Sequence, residues 1–104
     1  MFIVVVESKE ARSSYKDNPI LTYEGDRFIV LEDDEGWVEA TSTIFINDEI
    51  PRGAKLFDTE KDAAKFAKRW KGHPWWCRPN GNYEIIEVIP KTETVIKIIG
   101  YERA

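Results

Sequence analysis

The stretch that decides the fold is residues 56–78, LFDTEKDAAKFAKRWKGHPWWCR. Thr59 is placed to cap a helix, because its hydroxyl can accept a hydrogen bond from an unpaired backbone N–H of the first turn. Asp62 puts negative charge near the positive end of the helix dipole. One apolar face follows with the i, i+3, i+4, i+7 spacing of a helix: Ala63, Phe66, Ala67 and Trp70. We expect a helix over about residues 59–71, ended by Gly72.

The rest of the chain alternates apolar or β-branched runs with turn signals. The clearest predicted strands are residues 2–6, 20–24, 27–31, 37–41, 83–89 and 94–101. Residues 2–6 form the most continuous apolar run, which is typical of a strand buried on both faces. We therefore place that strand in the middle of the sheet, beside residues 83–89.

Turn signals separate these runs. Residues 32–36, EDDEG, end in a glycine that can take a positive φ, Asn80-Gly81 is a frequent turn pair, and residues 90–93 begin with a proline. A helix and a sheet each bury an apolar face by packing together. The sequence therefore predicts a single α+β domain over residues 1–104. Its antiparallel or mixed sheet has about five to seven strands, with one main helix packed on one face.

Composition indicates a globular chain. Of the 104 residues, 42% are hydrophobic and 33% are charged, which is the balance of a folded domain. No apolar run approaches the roughly 20 residues that a membrane-spanning helix needs, so we expect no membrane partner. Cys77 is the only cysteine, which excludes an intrachain disulfide and fits a reducing cytoplasm. We expect a cytoplasmic protein.

The net charge of −4 is unevenly distributed along the chain. Residues 1–50 carry twelve acidic and four basic side chains, whereas residues 51–104 carry seven acidic and eleven basic ones. Two surfaces of opposite potential are one interpretation of this asymmetry. Acidic turns and a solvated basic helix face are the ordinary alternative.

The sequence contains no catalytic motif. Its six glycines are scattered, and none opens a helix as a phosphate-binding loop requires. One histidine and one cysteine fall short of the three or four ligands that zinc needs. His73 and Cys77 are the nearest approach to a nucleophile with its base, and a packed cysteine is the alternative. We expect no enzyme activity, no cofactor and no metal site.

The loop after the helix is the first candidate binding site. Trp75 and Trp76 lie there beside Arg78, close in sequence to Lys68 and Lys71. Cations beside exposed aromatic rings suit single-stranded nucleic acid, because phosphates meet the charges and bases stack on the rings. Tryptophan and arginine are also enriched at the hot spots of protein interfaces. We expect at least one of the two tryptophans to be exposed, and both kinds of partner stay open.

The second candidate site is the acidic turn, which consists of Glu32, Asp33, Asp34 and Glu35. Consecutive carboxylates repel one another and stay solvated. An acidic surface of this kind can occupy the basic nucleic-acid channel of an enzyme by complementary potential. The turn therefore predicts a protein-binding surface that mimics DNA.

The start of the helix resembles a pattern of short bacteriophage and prophage proteins. The matching residues of the F-D-T-x-x-x-A-x-x-F-A pattern are Phe57, Asp58, Thr59, Ala63, Phe66 and Ala67. The resemblance implies an accessory protein in the host cytoplasm that binds a host protein and inhibits host defence or a nucleic-acid enzyme. The alternative is a single-stranded nucleic-acid-binding protein that uses the basic helix and the tryptophan loop. The oligomeric state stays open.

Overall fold

A computed structural model of the protein describes residues 1–9, 27–42, 49–73, 77–94 and 97–104. The elements in these ranges are β1 (Phe2–Ser8), β2 (Arg27–Glu32), β3 (Val38–Ser42), β4 (Glu49–Ile50), α1 (Glu60–Arg69), β5 (Pro79–Thr94) and β6 (Lys97–Arg103). The strands form one sheet in the order β3-β2-β1-β5-β6-β4, and every pairing is antiparallel. Five of these strands have five residues or more, and β4 has two. The predicted α+β class is confirmed.

The helix α1 begins where the sequence predicts and packs through its alanines. The Thr59 hydroxyl accepts a hydrogen bond from the Asp62 backbone N–H at 3.1 Å, which confirms the N-cap. Ala63 and Ala67 are buried, and α1 contacts β1 and β5. The half-buried aromatic rings of the helix and its approach pack against the same core: Phe57, Phe66 and Trp70. Small side chains at the centre of the contact bring the helix close to the sheet.

The helix ends earlier than the predicted residue 71. Its last residue is Arg69, because Trp70 already has an extended backbone, with φ −68° and ψ 128°. Gly72 lies beyond this cap with φ +93°. Its positive φ therefore serves the reversal of the chain toward Cys77, and not the last turn of the helix.

Two apolar clusters occupy the two faces of the sheet. The buried residues of the helix side are Val4, Val6, Phe28, Val30, Ala40, Ala63, Ala67 and Cys77. Those of the opposite side are Ile3, Val5, Ile29, Ile50 and Val88. Successive residues of β1 alternate between the clusters, and β1 lies between β2 and β5. The prediction of a central first strand that is buried on both faces is confirmed.

The predicted hairpin at the acidic turn is also confirmed. Residues 27–31 and 37–41 correspond closely to β2 and β3, and Gly36 in the turn between them has φ +84°. The predicted strand at residues 20–24 lies outside the described residues. The described part of the chain holds no helix with the length and apolar character that crossing a bilayer requires.

The Asn80-Gly81 pair does not reverse the chain: it lies within β5 at a break in register, where the Asn80 side chain accepts a hydrogen bond from the Asn82 N–H at 2.8 Å. The register between β1 and β5 shifts between Val6 and Ser8, and Gly81 has φ +95°. The Glu7 carboxylate accepts hydrogen bonds from the side-chain amides of Asn80 and Asn82, each at 3.2 Å. The glycine therefore accommodates extra residues within the strand instead of reversing the chain.

The predicted turn at residues 90–93 is wrong, because β5 continues through them. Pro90 pairs with Tyr101, and the strand extends to Thr94. On its other side, β5 pairs with the beginning of the chain only as far as Val88. The Val88 N–H donates a hydrogen bond to the Met1 carbonyl at 2.7 Å. Pro90 lies past this point, where its missing N–H leaves no hydrogen bond to β1 unmade.

The β5–β6 hairpin beyond Val88 leaves the body of the fold. We call residues 89–94 and 97–103 the arm. The molecule measures 50 × 29 × 26 Å, and its radius of gyration is 14.4 Å. A compact domain of about 100 residues has a radius of about 13 Å, so the molecule is somewhat elongated.

Candidate functional site

The turn between β2 and β3 presents acidic side chains on a hydrogen-bonded backbone. The Asp33 carboxylate accepts hydrogen bonds from the backbone N–H groups of Glu35 at 2.9 Å and Trp37 at 2.8 Å. The Asp33 N–H donates in turn to the Trp37 carbonyl at 3.0 Å. The Asp33 carboxylate is thus part of the turn, whereas the exposed carboxylates of Asp34 and Glu35 are the ones presented to a partner.

Trp37 has the most exposed large apolar side chain of the described residues, at 59%. Its indole meets the His73 imidazole edge to face, with the ring centroids 5.0 Å apart and the ring planes at 89°. Since His73 follows α1, this contact joins the acidic turn to the loop after the helix. We call Asp34, Glu35, Trp37 and His73 the Trp37 surface.

Glu32 is tied to the helix side of the molecule. Its carboxylate forms an ion pair with the Lys55 ammonium, whose side chain is only 20% exposed. The same ammonium lies 5.3 Å from the ring centroid of Phe57 and 5.6 Å from that of Phe66. Ion pair and cation–π contacts thus fix the start of the acidic turn against the aromatic rings.

The face of α1 that points away from the sheet is cationic. The exposed residues Lys61, Lys65, Lys68 and Arg69 border a shallow depression beside Ala64. Of the predicted binding residues, Lys68 belongs to this face. The cations thus lie on a solvated helix face and the carboxylates in a turn, which is the arrangement of the ordinary alternative to two surfaces of opposite potential.

The loop after the helix is described only in part. Trp75 and Trp76, the two predicted stacking residues, lie outside the described residues. Lys71 and Arg78 are exposed. The carbonyl of Arg78 accepts a hydrogen bond from the Lys9 N–H at 2.6 Å, so its backbone is anchored to the end of β1.

Cys77 lies in an environment unsuited to a nucleophile. Its side chain is 1% exposed and packs in the helix-side cluster. Burial raises the pKa of its thiol from 9.0 to about 11, so the thiol is protonated at neutral pH, whereas a reactive cysteine is a thiolate. The described residues hold no group of three or more His, Cys, Asp or Glu side chains arranged for a metal ion.

The raised pKa of Cys77 makes the stability of the fold depend on alkaline pH. Between pH 9.0 and about 11 the folded thiol keeps a proton that the unfolded thiol loses, so stability falls as pH rises. We expect the stability of the wild type to fall by roughly 2 kcal/mol relative to Cys77→Ala over this range. Denaturant melts of both proteins at several pH values measure it. A constant difference between the proteins contradicts the burial of a protonated thiol.

Sequence reasoning missed Trp37 and the arm as binding candidates. Trp37 stands at the start of a predicted strand, and only its position after a glycine turn hints at exposure. Ile98 and Ile99 are adjacent in a strand, so one of them has to face away from any single core, and this is a signal that the sequence carries.

Comparisons with protein-family models, with curated proteins and with solved structures give no match for this chain.

Proposed function

We propose that this chain is a non-enzymatic binding protein that docks on a host protein through the Trp37 surface. The observation that carries the proposal is the exposed indole of Trp37, held at the end of a hydrogen-bonded turn. A tryptophan that is already held in place loses little conformational entropy when a partner buries it. Tryptophan is also enriched among the residues that dominate the energy of protein interfaces.

Asp34 and Glu35 define the chemistry of the partner. They are exposed and lie three and two residues before Trp37, so a matching partner has cations around an apolar pocket. The basic channel of a nucleic-acid enzyme has this character, and occupying it inhibits the enzyme. The resemblance to bacteriophage accessory proteins supports a host enzyme or defence protein as the target.

Trp37→Ala is expected to weaken the complex by about 2 kcal/mol or more, because it removes the central apolar contact. The test is affinity capture from a bacterial lysate by the wild type and the variant. The same substitution should change the free energy of unfolding by less than about 1 kcal/mol, since the indole is mostly exposed. Lys65→Ala, on the outer face of α1, is the control and should leave capture intact. A captured protein that the Trp37 variant retains contradicts the proposal.

The second candidate is a single-stranded nucleic-acid-binding protein, and the cationic face of α1 is the observation that favours it. Four cations at helical spacing can follow a phosphate backbone. In the same experiment, nuclease treatment decides between the candidates. If capture is lost with nuclease and an oligonucleotide binds in a way that Lys65→Ala weakens, the second candidate replaces the first.

A further inference from the structure

The arm exposes apolar side chains that a folded protein ordinarily covers. Of the five exposed large hydrophobic residues among those described, three belong to the arm: Ile89 at 43%, Ile98 at 53% and Ile99 at 41%. They lie on a projecting hairpin, at the opposite end of the sheet from β3 and Trp37. Neighbouring exposed aliphatic side chains of this kind mark an interaction site.

In the described part of the chain, most of the outer edge of β6 has no partner strand. Within the described chain, β4 is the strand on this side of β6, and it pairs only with Tyr101 and Glu102. The residues from Lys97 to Gly100 extend past the end of β4. A strand edge of this kind offers backbone N–H and C=O groups to an added strand.

The side chains around this edge are cationic and apolar. Two adjoining shallow depressions on the arm share Arg52, Ile99, Gly100 and Tyr101. The first also includes Lys97 and the second Lys91, and no carboxylate lines either one. Lys97 forms an ion pair with Glu93 at 3.3 Å. Because both side chains are well exposed, this pair is weak and can exchange for a carboxylate of a ligand.

We propose that the arm binds an extended, acidic segment of a partner protein as an added β-strand along β6, from Lys97 to Gly100. Its backbone pairs with β6, its apolar side chains cover Ile98 and Ile99, and its carboxylates meet Arg52 and Lys97. A second copy of this chain fits the edge less well, because edge-to-edge pairing of two arms brings their cations together. This surface is separate from the Trp37 surface and does not depend on its function.

The first test is selection of binders from a random displayed peptide library against the full chain. We expect the selected peptides to combine Asp and Glu with apolar residues, and their binding to weaken as salt concentration rises. When such a peptide is bound, exchange of the outward amide hydrogens between Lys97 and Gly100 should slow. Selected peptides without acidic enrichment, or exchange that slows elsewhere and not on β6, overturn the proposal.

The second test compares two substitutions at one position. Ile98→Glu and Ile98→Lys remove the same apolar side chain, and both should leave the melt nearly unchanged because Ile98 is 53% exposed. A selected acidic peptide should bind Ile98→Glu at least about tenfold more weakly than Ile98→Lys, since only the first adds a like charge. Trp37→Ala should bind it as the wild type does. Equal binding by the two Ile98 variants overturns the proposal.

Two other outcomes assign the arm to a different partner and likewise overturn the proposal. The first is a concentration-dependent dimer in sedimentation that Ile98→Lys abolishes, which identifies a second copy of the chain. The second is binding of a single-stranded oligonucleotide that Ile98→Glu abolishes and Ile98→Lys strengthens.

Discussion

Gly72→Ala is expected to lower the free energy of unfolding by about 3 kcal/mol or more, the largest effect of an alanine at any of the described glycines. Gly72 has φ +93°, a conformation that alanine adopts only at a cost. A Cβ at this position also lands on the backbone carbonyl of Cys77 and 2.8 Å from Cδ of Pro79. Neither neighbour can move easily, because Cys77 is buried and Pro79 begins β5.

Two other glycines serve as controls. They separate the conformational cost of a positive φ from the steric collision of an added Cβ. Gly36 has φ +84° and Gly81 has φ +95°, and neither would bring a Cβ within 4 Å of another atom. Alanine at either position should therefore cost only about 1–2 kcal/mol, from the conformation alone. Denaturant melts of the three variants measure the difference. A Gly72 variant no less stable than the Gly36 variant shows that the chain does not pack closely there.

Ile3→Ala is expected to cost about 2–5 kcal/mol, the range for a large side chain removed from a packed core. Ile3 is 0% exposed and belongs to the cluster on the side of the sheet away from the helix. The substitution therefore tests whether this second face is a packed core, which the sequence does not establish. Thermal or denaturant unfolding measures the loss.

Ile98→Ala is the matched control, because it removes the same atoms from a side chain that is 53% exposed. Its effect should stay within about 0.5 kcal/mol, as for ordinary surface substitutions. If both variants lose the same small amount, then the second face is not packed and β1 is not a central strand.

The features predicted correctly from the sequence are those that neighbouring residues determine. The Thr59 cap depends on one hydroxyl and one N–H three residues away, and the turn before Trp37 depends on a glycine that tolerates positive φ. The position of β1 follows from its composition, since a run without polar residues is stable only where both faces are covered.

The errors arise where distant elements decide. Pro90 resembles a turn residue until β5 is found to continue past the start of β1 and to pair with β6. Asn80-Gly81 resembles a turn until the side chain of Glu7 is found to bind it beside β1. Local signals do not contain this information.

The candidate site was predicted in part. Asp34, Glu35 and Lys68 are exposed as the sequence indicates, but the hydrogen bonds of Asp33 and the ion pair of Glu32 with Lys55 depend on the fold. The exposure of Trp37 also depends on the fold. An aromatic residue at the start of a strand is buried or exposed according to what lies across from it, and here the His73 imidazole meets its ring edge to face.

The first part of β5 pairs with β1, and its last part pairs with β6. The body of the fold and the hairpin are therefore expected to unfold with different cooperativity. Up to Val88 the strand is bonded to β1 and packed in the core, whereas beyond it the strand is bonded to β6 and surrounded by solvent-exposed side chains. The hairpin can therefore fray from its tip as far as Lys91 and Gly100 while Tyr101 stays paired with β4 and packed against the core. When a ligand orders the tip, the conformational entropy is lost within the hairpin. The folding equilibrium of the body is therefore unchanged.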